Sequence, residues 1–248
     1  MIELVGMTSP NVLKLALMLE ECGLAYRLRH VDVFAGEQHA PEFLALNPTA
    51  KVPVLVDHDQ PQPFAVFESA AALLYLAEKT GRFLPAAPLA RSTALQWLMF
   101  QASSVGPMFG QYVHFFRYAP AETYSLRRYE SEVARLLRIL DDRLSGSAWL
   151  AGDEFGLADM AQWPGVRTGN ALFPLFAEKG AWAALPNLHR WFDRVAERPA
   201  TVRATAAIDA LLPADVRAFE NADTDALDRF FGRGRHDHAN SLTAAVAA

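Results

Sequence analysis

The sequence contains only one cysteine, Cys22, among its 248 residues. A single cysteine excludes an intramolecular disulfide framework, and it also excludes zinc or iron–sulfur sites that need several thiolate ligands. Because structural disulfides belong to oxidising compartments, this composition favours a reducing environment, and we expect a cytoplasmic protein.

An excess of positive charge is also missing. Lys and Arg total 23 against 28 Asp and Glu, which gives a formal net charge of -5. Since nucleic-acid binding requires basic side chains that neutralise phosphates, this balance disfavours a nucleic-acid partner.

Long hydrophobic runs are absent as well. No segment approaches the roughly 20 apolar residues of a membrane-spanning helix. The amino terminus lacks the basic region of a signal peptide, and Lys14, Glu20 and Glu21 interrupt the apolar stretch that follows. With 52% hydrophobic and 21% charged residues, the composition is that of a globular protein without a membrane partner.

The hydrophobic spacing of the first eighty residues changes repeatedly, which is typical of an α/β unit. The pattern predicts strands at residues 2–5, 26–33, 54–56 and 64–67, and helices at residues 10–23, 41–46 and 69–81. Ser9 and Pro10 form a typical helix start, Gly23 is a typical helix end, and turn residues 57–63 join the last two strands into an antiparallel hairpin. The predicted order is β-α-β-α-β-β-α, in a first domain at residues 1–82.

Every periodic segment after residue 90 reads as helix, so the segment around Pro85 and Pro88 is the predicted domain boundary. The spacing predicts helices at residues 91–116, 121–144, 157–176, 188–197 and 200–212. We therefore expect an all-α domain at residues 91–212 and a C-terminal extension at residues 213–248. The extension becomes polar from about Asn221, and we expect it to be loosely held.

Two motifs carry a family resemblance. Residues 51–54 read Lys-Val-Pro-Val, and residues 67–76 read Phe-Glu-Ser-Ala-Ala-Ala-Leu-Leu-Tyr-Leu. In this order on the β/α pattern, they resemble the cis-proline loop and the Glu-Ser helix start of cytosolic glutathione transferases. The resemblance covers roughly residues 1–211 and implies a thioredoxin-like domain followed by a helical domain, with glutathione as co-substrate, no metal and a homodimeric assembly.

Within that family, residues 8–11 and 106–111 resemble the Nu class, which includes relatives of a fungal nitrogen-regulatory prion protein. This class implies glutathione-dependent disulfide reduction. Two departures are visible: Ser9 stands where the class usually has Thr, and Gly156 stands at a helix start where the family usually has Ser or Thr three residues before Asp159. Glycine can cap a helix at a cost of a few tenths of a kcal/mol relative to those residues.

The resemblance assigns glutathione-binding roles to several residues. Val52 would pair its backbone with the cysteinyl unit, and Pro53, after a cis bond, would fix the register of the ligand. Glu68 would hold the γ-glutamyl ammonium, and Ser69, at a helix N-terminus, would bind the carboxylate. The residues assigned to the glycyl end are Lys51 and Gln38.

The thiol of glutathione must be ionised to react, because the thiolate is the nucleophile and a free thiol has a pKa near 8.5. The candidate donors to the sulfur are the Ser9 hydroxyl, the Asn11 amide and the N–H groups at the start of the first helix, with Thr8 as an alternative to Ser9. A hydrogen bond to a charged group contributes about 1.5–3 kcal/mol and a helix N-terminus about 0.3–1 kcal/mol, so together they lower the thiol pKa by roughly one to two. Ser9 could instead be an ordinary N-cap.

Cys22 is the rival nucleophile, but it lies thirteen residues after Ser9 on the same helix, about 20 Å away. We therefore expect an inert Cys22 and two glutathione molecules per reaction, one attacking and one resolving the mixed disulfide. The resemblance assigns Arg128 to a glutathione carboxylate, although a solvated surface arginine is an equal alternative. Gln111 and Tyr112 are the candidates for the second-substrate pocket, whereas most aromatic residues around them should be core.

Two other functions remain as alternatives. The same thiolate could conjugate or cleave an aromatic electrophile, which an apolar, aromatic second pocket would favour over a polar, Arg-lined one. A non-catalytic regulatory protein could also keep this fold. A metal site formed by His236, Asp237 and His238 is disfavoured, because all three lie in the polar extension.

Overall fold

The computed structural model describes residues 1–239, and its first domain is built on a four-stranded sheet in the order β2-β1-β3-β4. The strands are β1 (Ile2–Gly6), β2 (Tyr26–His30), β3 (Val54–Asp57) and β4 (Phe64–Phe67). Strand β1 runs parallel to β2, with Ile2 opposite Tyr26, and antiparallel to β3, whose own partner β4 completes the predicted hairpin. The helices are α1 (Pro10–Cys22), α2 (Pro41–Leu44) and α3 (Ser69–Thr80), with a 3₁₀ turn at Glu37–His39. The predicted order of elements is confirmed, and β2 ends three residues before the predicted boundary.

Helix α1 lies buried between the sheet and the second domain. Its N-cap is Ser9, whose hydroxyl accepts the N–H of Asn11, and it ends at Gly23 in the left-handed conformation (φ 67°). Every side chain from Val12 to Leu19 is at most 2% exposed, although one of them is a lysine. The start of α1 therefore points into the boundary between the domains from a rigid, fully packed helix.

The second domain is entirely helical within the described residues. Its helices are α4 (Pro88–Phe100), α5 (Gly106–Tyr118), α6 (Thr123–Ser145), α7 (Leu157–Leu172), α8 (Pro174–Ala177), α9 (Ala181–Ala184), α10 (Pro186–Ala196) and α11 (Pro199–Asp209). The helix predicted at residues 91–116 is interrupted by a π-helical turn at Gln101–Val105. Gly106, just after this turn, leaves room for the Gln101 amide, since a Cβ there would lie 2.9 Å from Gln101 Nε2 and 3.1 Å from the Gln101 carbonyl oxygen. The turn thus holds the buried Gln101 side chain against the domain boundary, and π turns of this kind are frequent at functional sites.

Asp159 caps α7 from inside the core. Its carboxylate accepts the backbone N–H groups of Leu150 and Gly156 and the indole N–H of Trp191, all at 2.8–3.0 Å. Burial raises the pKa of Asp159 to about 6, against the lowering effect of these donors. The N-cap itself must be small, because a Cβ at Gly156 would lie 3.0 Å from the carbonyl oxygen of Phe83. The unusual glycine cap therefore has a steric reason, and Asp159 provides the polar contacts.

The C-terminal extension corrects one expectation, because its described part is folded rather than loosely held. It contains α12 (Leu212–Asn221), α13 (Thr224–Phe231) and a 3₁₀ turn at Gly234–His236. The rings of Phe219 and Phe230 pack on Phe34 of the first domain, with centroids 5.2 and 4.9 Å apart. The overall polarity of this segment concealed the apolar faces of two short amphipathic helices.

Two further observations concern residues 1–239. No helix in this part of the chain is both long enough and apolar enough to cross a membrane. Nor does this range bring three or more His, Cys, Asp or Glu side chains together as metal ligands. His236 instead contacts Asp225, with 2.9 Å between Nε2 and Oδ1.

We predict that Asp159→Ala lowers the free energy of unfolding by about 3 kcal/mol or more, because it leaves three buried donors without their acceptor. The exposed Asp142→Ala is the matched control and should change stability by less than about 0.5 kcal/mol. Urea unfolding of both variants measures the difference, and equal stabilities would contradict the capping role.

Candidate active site

A cavity of about 1050 Å³ lies between the two domains, at the start of α1. It is larger than most pockets for one small molecule, which span roughly 300–1,000 Å³. Its walls come from the residues before and in the first turn of α1, from Lys51, from α5 and from the C-terminal extension. The space is therefore sufficient for more than one ligand.

The loop before β3 has the geometry that the family resemblance implied. The Val52–Pro53 peptide bond is cis, and Pro53 is buried. Within residues 1–239, the N–H and C=O of Val52 make no backbone hydrogen bond. This loop therefore presents one unpaired donor and one unpaired acceptor, which is the pattern that an extended peptide ligand needs.

The start of α3 forms a second recognition element. Glu68 precedes the helix with φ 65°, a left-handed conformation that costs a non-glycine residue energy, and its side chain is exposed. Ser69 opens the helix, where the first N–H groups have no partner within the helix and attract anions. A carboxylate on one side and helix N–H groups on the other suit the zwitterionic end of a peptide.

Ser9 and Thr8 differ in which of their donors are occupied. The N–H of Thr8 donates to Asp215 Oδ2 (2.7 Å), and its hydroxyl donates to the carbonyl of Ile208 (3.4 Å). The Ser9 hydroxyl accepts the N–H of Asn11 at 3.2 Å and donates to no residue between 1 and 239. The geometry thus favours Ser9 over Thr8 as a hydroxyl donor to a ligand in the cavity.

Asn11 is exposed to the cavity, and a lysine beneath it holds its side chain. Lys14 Nζ donates to Asn11 Oδ1 at 2.8 Å, to Gln101 Oε1 at 2.7 Å and to Ser69 Oγ at 3.3 Å. Burial lowers the pKa of Lys14 to about 7, although the nearby Glu68 carboxylate raises it. Sequence reasoning missed Lys14. The available indication was one lysine within an apolar helical run, three residues after Asn11 and therefore on the same helix face.

The two residues assigned to the glycyl end behave differently. Lys51 is exposed and lines the cavity, and its carbonyl accepts the side-chain N–H of Asn47 at 2.6 Å. Gln38 is buried and donates its amide N–H to the carbonyl of Val33 at 3.0 Å. Its donor therefore holds the loop after β2, which differs from the predicted contact with a ligand.

Two of the predicted residues lie away from the cavity: Tyr112, a candidate for the second-substrate pocket, and Arg128, which the resemblance assigned to a glutathione carboxylate with a surface arginine as the alternative. Tyr112 faces α6 and not the cavity, so it is 1% exposed and belongs to the core. Its hydroxyl donates to Glu130 Oε1 at 3.1 Å. Arg128 lines a separate hollow on α6 together with Tyr124 and Arg127. Gln111 does line the cavity, and the arginine found there is Arg117, one that sequence reasoning did not single out.

One side of the cavity is formed by aromatic rings, which we call the aromatic wall. Neighbouring rings in it lie in contact, with centroids 4.8 Å apart for Tyr118 and Phe231 and 5.6 Å apart for His114 and Phe231. Half of the wall belongs to the C-terminal extension. Its members are Phe34, His114, Tyr118, Phe219, Phe230 and Phe231.

Cys22 lies at the other end of α1, as the sequence indicated. It is partly buried, and its Sγ lies 3.6 Å from the hydroxyl of Thr80. Burial raises the pKa of the Cys22 thiol above its ordinary value. Cys22 does not line the cavity, so its position and its pKa both disfavour a role as nucleophile.

Both domains of this chain are similar to domains of known proteins. Residues 8–79 match the glutathione S-transferase N-terminal domain, and residues 107–199 match the glutathione S-transferase C-terminal domain. The disulfide-bond oxidoreductase YfcG of Escherichia coli (strain K12) is 42% identical over 208 residues, which cover 82% of this chain and 94% of that protein.

Two solved structures extend the comparison. A glutathione transferase family member from Pseudomonas fluorescens pf-5, crystallised with two glutathione bound, is 38% identical, with a TM-score of 0.78 over 82% of this chain and 91% of that one. The glutathione transferase URE2P6 from Phanerochaete chrysosporium, in complex with oxidised glutathione, is 31% identical, with a TM-score of 0.77 over 85% of this chain and 97% of that one. These similarities are consistent with the Nu-class resemblance of the motifs. This chain belongs to the glutathione S-transferase family.

Proposed function

We propose that this protein is a glutathione-dependent disulfide oxidoreductase. The observation that carries the proposal is the arrangement at the start of α1, where the Asn11 amide and the Ser9 hydroxyl open into a cavity large enough for two tripeptides. The cis Val52–Pro53 loop and the Glu68–Ser69 helix start provide the peptide-binding elements beside it. Two relatives support the same reaction. YfcG is named a disulfide-bond oxidoreductase, and the Pseudomonas fluorescens structure holds two glutathione.

The proposed reaction uses two glutathione molecules as the reductant. The thiolate of the first attacks one sulfur of the substrate disulfide, so a mixed disulfide forms and the other substrate sulfur leaves as a thiolate that takes a proton from solvent. The thiolate of the second attacks the glutathione sulfur of the mixed disulfide. This step releases the second substrate thiol and forms glutathione disulfide, so the two electrons come from the two glutathione molecules.

The protein's own contribution to this chemistry is to keep the first sulfur ionised. Asn11 can donate an amide N–H to it, Ser9 can donate its hydroxyl, and the partial positive charge at the N-terminus of α1 adds to both. Cys22 takes no part in this stabilisation or in the exchange steps.

The family resemblance also leads us to propose a homodimer, which light scattering of the purified protein tests.

Asn11→Ala should slow disulfide reduction by about tenfold to a hundredfold, because it removes a hydrogen bond of about 1.5–3 kcal/mol to the charged sulfur. The affinity for glutathione should change little, since the other groups of the ligand keep their contacts. Steady-state kinetics and calorimetry measure the two effects separately. A large loss of affinity with unchanged turnover would argue against a role at the sulfur.

Cys22→Ala should retain the activity of the unmodified protein within about twofold, because the reacting sulfurs belong to glutathione. An inactive Cys22→Ala would overturn the two-glutathione scheme. A crystal soaked in oxidised glutathione complements this test: two glutathione halves in the cavity of each subunit are expected, and an empty cavity would contradict the proposal.

The aromatic wall supports a second candidate function, the conjugation or cleavage of an aromatic electrophile by the same thiolate. Ring faces and edges in contact offer an aryl group favourable packing beyond simple burial. Arg117, Gln111 and Lys51 give the same cavity polar groups, so it also suits a second glutathione. Both reactions require the ionised glutathione sulfur at the start of α1, and they differ only in the molecule that this sulfur attacks.

Phe231→Ala distinguishes these two uses of the cavity. We expect the kcat/KM for an aryl disulfide or an aryl halide to fall by about tenfold, with less than about a threefold change for a small hydroxyalkyl disulfide. Phe64→Ala, which removes a half-exposed ring at the sheet edge, is the matched control and should change neither. Equal losses for both substrate types in Phe231→Ala would show that the wall does not select aromatic substrates.

A further inference from the structure

Lys14 is the one lysine that the described chain buries completely, at 2% exposed, within a helix face that is otherwise apolar from Val12 to Leu19. Burying a charged amine costs free energy unless its partners compensate, and a hydrophobic residue at such a site is often neutral or stabilising. A lysine here therefore calls for a reason other than packing. Its three partners provide one, because all of them belong to the cavity or to the helix start beside it.

The contact between Lys14 and Asn11 fixes the orientation of the Asn11 carboxamide. A protonated amine has three donors and no acceptor, so only the amide oxygen of Asn11 can face Lys14 at 2.8 Å. The NH₂ group of the amide is then directed away from the lysine. Asn11 is exposed to the cavity, so its two donors remain for a ligand sulfur.

The same orientation persists if Lys14 loses its proton. A neutral amine has two donors and one acceptor, which matches two amide oxygens, from Asn11 and Gln101, and one hydroxyl, from Ser69, that can reverse its hydrogen bond. The set of partners is thus satisfied in both protonation states. The orientation of Asn11 therefore does not depend on which protonation state of Lys14 dominates near neutral pH, although burial lowers the pKa of Lys14 to about 7.

Gln101 is itself held in place from the second domain. It opens the π-helical turn and is 3% exposed, and Gly106 leaves the space that its amide occupies. Lys14 is therefore anchored by a rigid element of one domain while it orients a residue of the other. Such fixed supporting contacts are what keep a reacting group within the narrow geometry that catalysis requires.

We propose that Lys14 is a positioning residue, which turns the Asn11 amide N–H toward the sulfur of bound glutathione and couples that orientation to the Gln101 turn of the helical domain. This inference rests on the proposed function, since it concerns the same ionised sulfur.

The test measures the thiol pKa of glutathione bound to the Lys14→Met variant. The ultraviolet absorbance of the thiolate, recorded as the pH is varied, gives this pKa. Met has a similar length and no donor. We expect the pKa of the bound thiol to rise by about 1, and turnover at pH 7 to fall by about tenfold. The affinity for S-methylglutathione, which has no thiol to ionise, should stay within about threefold. The matched control is Lys179→Met at an exposed site, which should change none of these values.

A double-mutant cycle separates positioning from a simple charge effect. If Lys14 acts through Asn11, adding Lys14→Met to Asn11→Ala should raise the thiol pKa by less than about 0.3 beyond Asn11→Ala alone. Additive shifts would overturn the inference, because they would mean that Lys14 acts on the sulfur independently of Asn11. An unchanged thiol pKa in Lys14→Met would overturn it as well.

A second variant covers the case in which Lys14→Met does not fold. Gln101→Leu removes the 2.7 Å anchor and leaves the lysine in place, and we expect a smaller rise of the thiol pKa in the same direction. No rise of the thiol pKa in a folded Gln101→Leu would contradict the inference.

The unmodified protein tests the proposed function separately. If it fails to bind glutathione, or leaves the thiol pKa of glutathione at the value in water, the proposed function itself fails. A failure confined to the variants overturns only the role of Lys14.

Discussion

The structure depends on one set of polar contacts around a buried amine at the boundary of its two domains, in which Lys14 joins Asn11, Ser69 and Gln101. Helix α1 supplies Lys14 and Asn11, helix α3 supplies Ser69, and the π-helical turn of the second domain supplies Gln101. Lys14 and Gln101 are buried, so the lysine amine and the glutamine oxygen take their partners within the set, whereas Asn11 keeps its amide N–H groups for a ligand in the cavity. The amine thereby orients the Asn11 side of the proposed ligand site, and it adds a longer contact of 3.3 Å to Ser69 Oγ.

The C-terminal extension adds a second constraint to the same site. Asp215 is buried, accepts the N–H of Thr8 and lies 2.7 Å from His30 Nε2, so α12 is attached directly to the loop before α1. Phe230 and Phe231 then close one side of the cavity. The extension lies outside both family matches, which cover residues 8–79 and 107–199.

The sequence was sufficient for the features that depend on local chemistry. The Ser9–Pro10 helix start and the hairpin of β3 and β4 follow from residue type and spacing, and the structure has both. The cis Val52–Pro53 bond was implied by the family resemblance alone, and the structure has it too. The substrate-binding and catalytic roles assigned to single residues stay predictions. They concern a ligand, and residue spacing does not determine which side chain meets it.

Features that depend on the facing element could not be predicted. Tyr112 and Gln111 are neighbours on α5, and only the position of α6 determines that one is core and the other faces the cavity. The sequence shows Lys14 only as an interruption of an apolar helix, because its partners Ser69 and Gln101 are 55 and 87 residues away. The polar composition of the extension predicts a loose tail, whereas its aromatic residues pack on Phe34 and on Tyr118 of α5, which are distant in sequence.

The thiol pKa of glutathione bound to the unmodified protein is the most direct test of whether the start of α1 keeps the sulfur ionised, and titration of the thiolate absorbance against a protein blank measures it. We expect this pKa to lie at least about one below the free-thiol value near 8.5, so that thiolate is a major species at neutral pH. A bound thiol that ionises as it does in water, or a protein that does not retain glutathione at all, would contradict it.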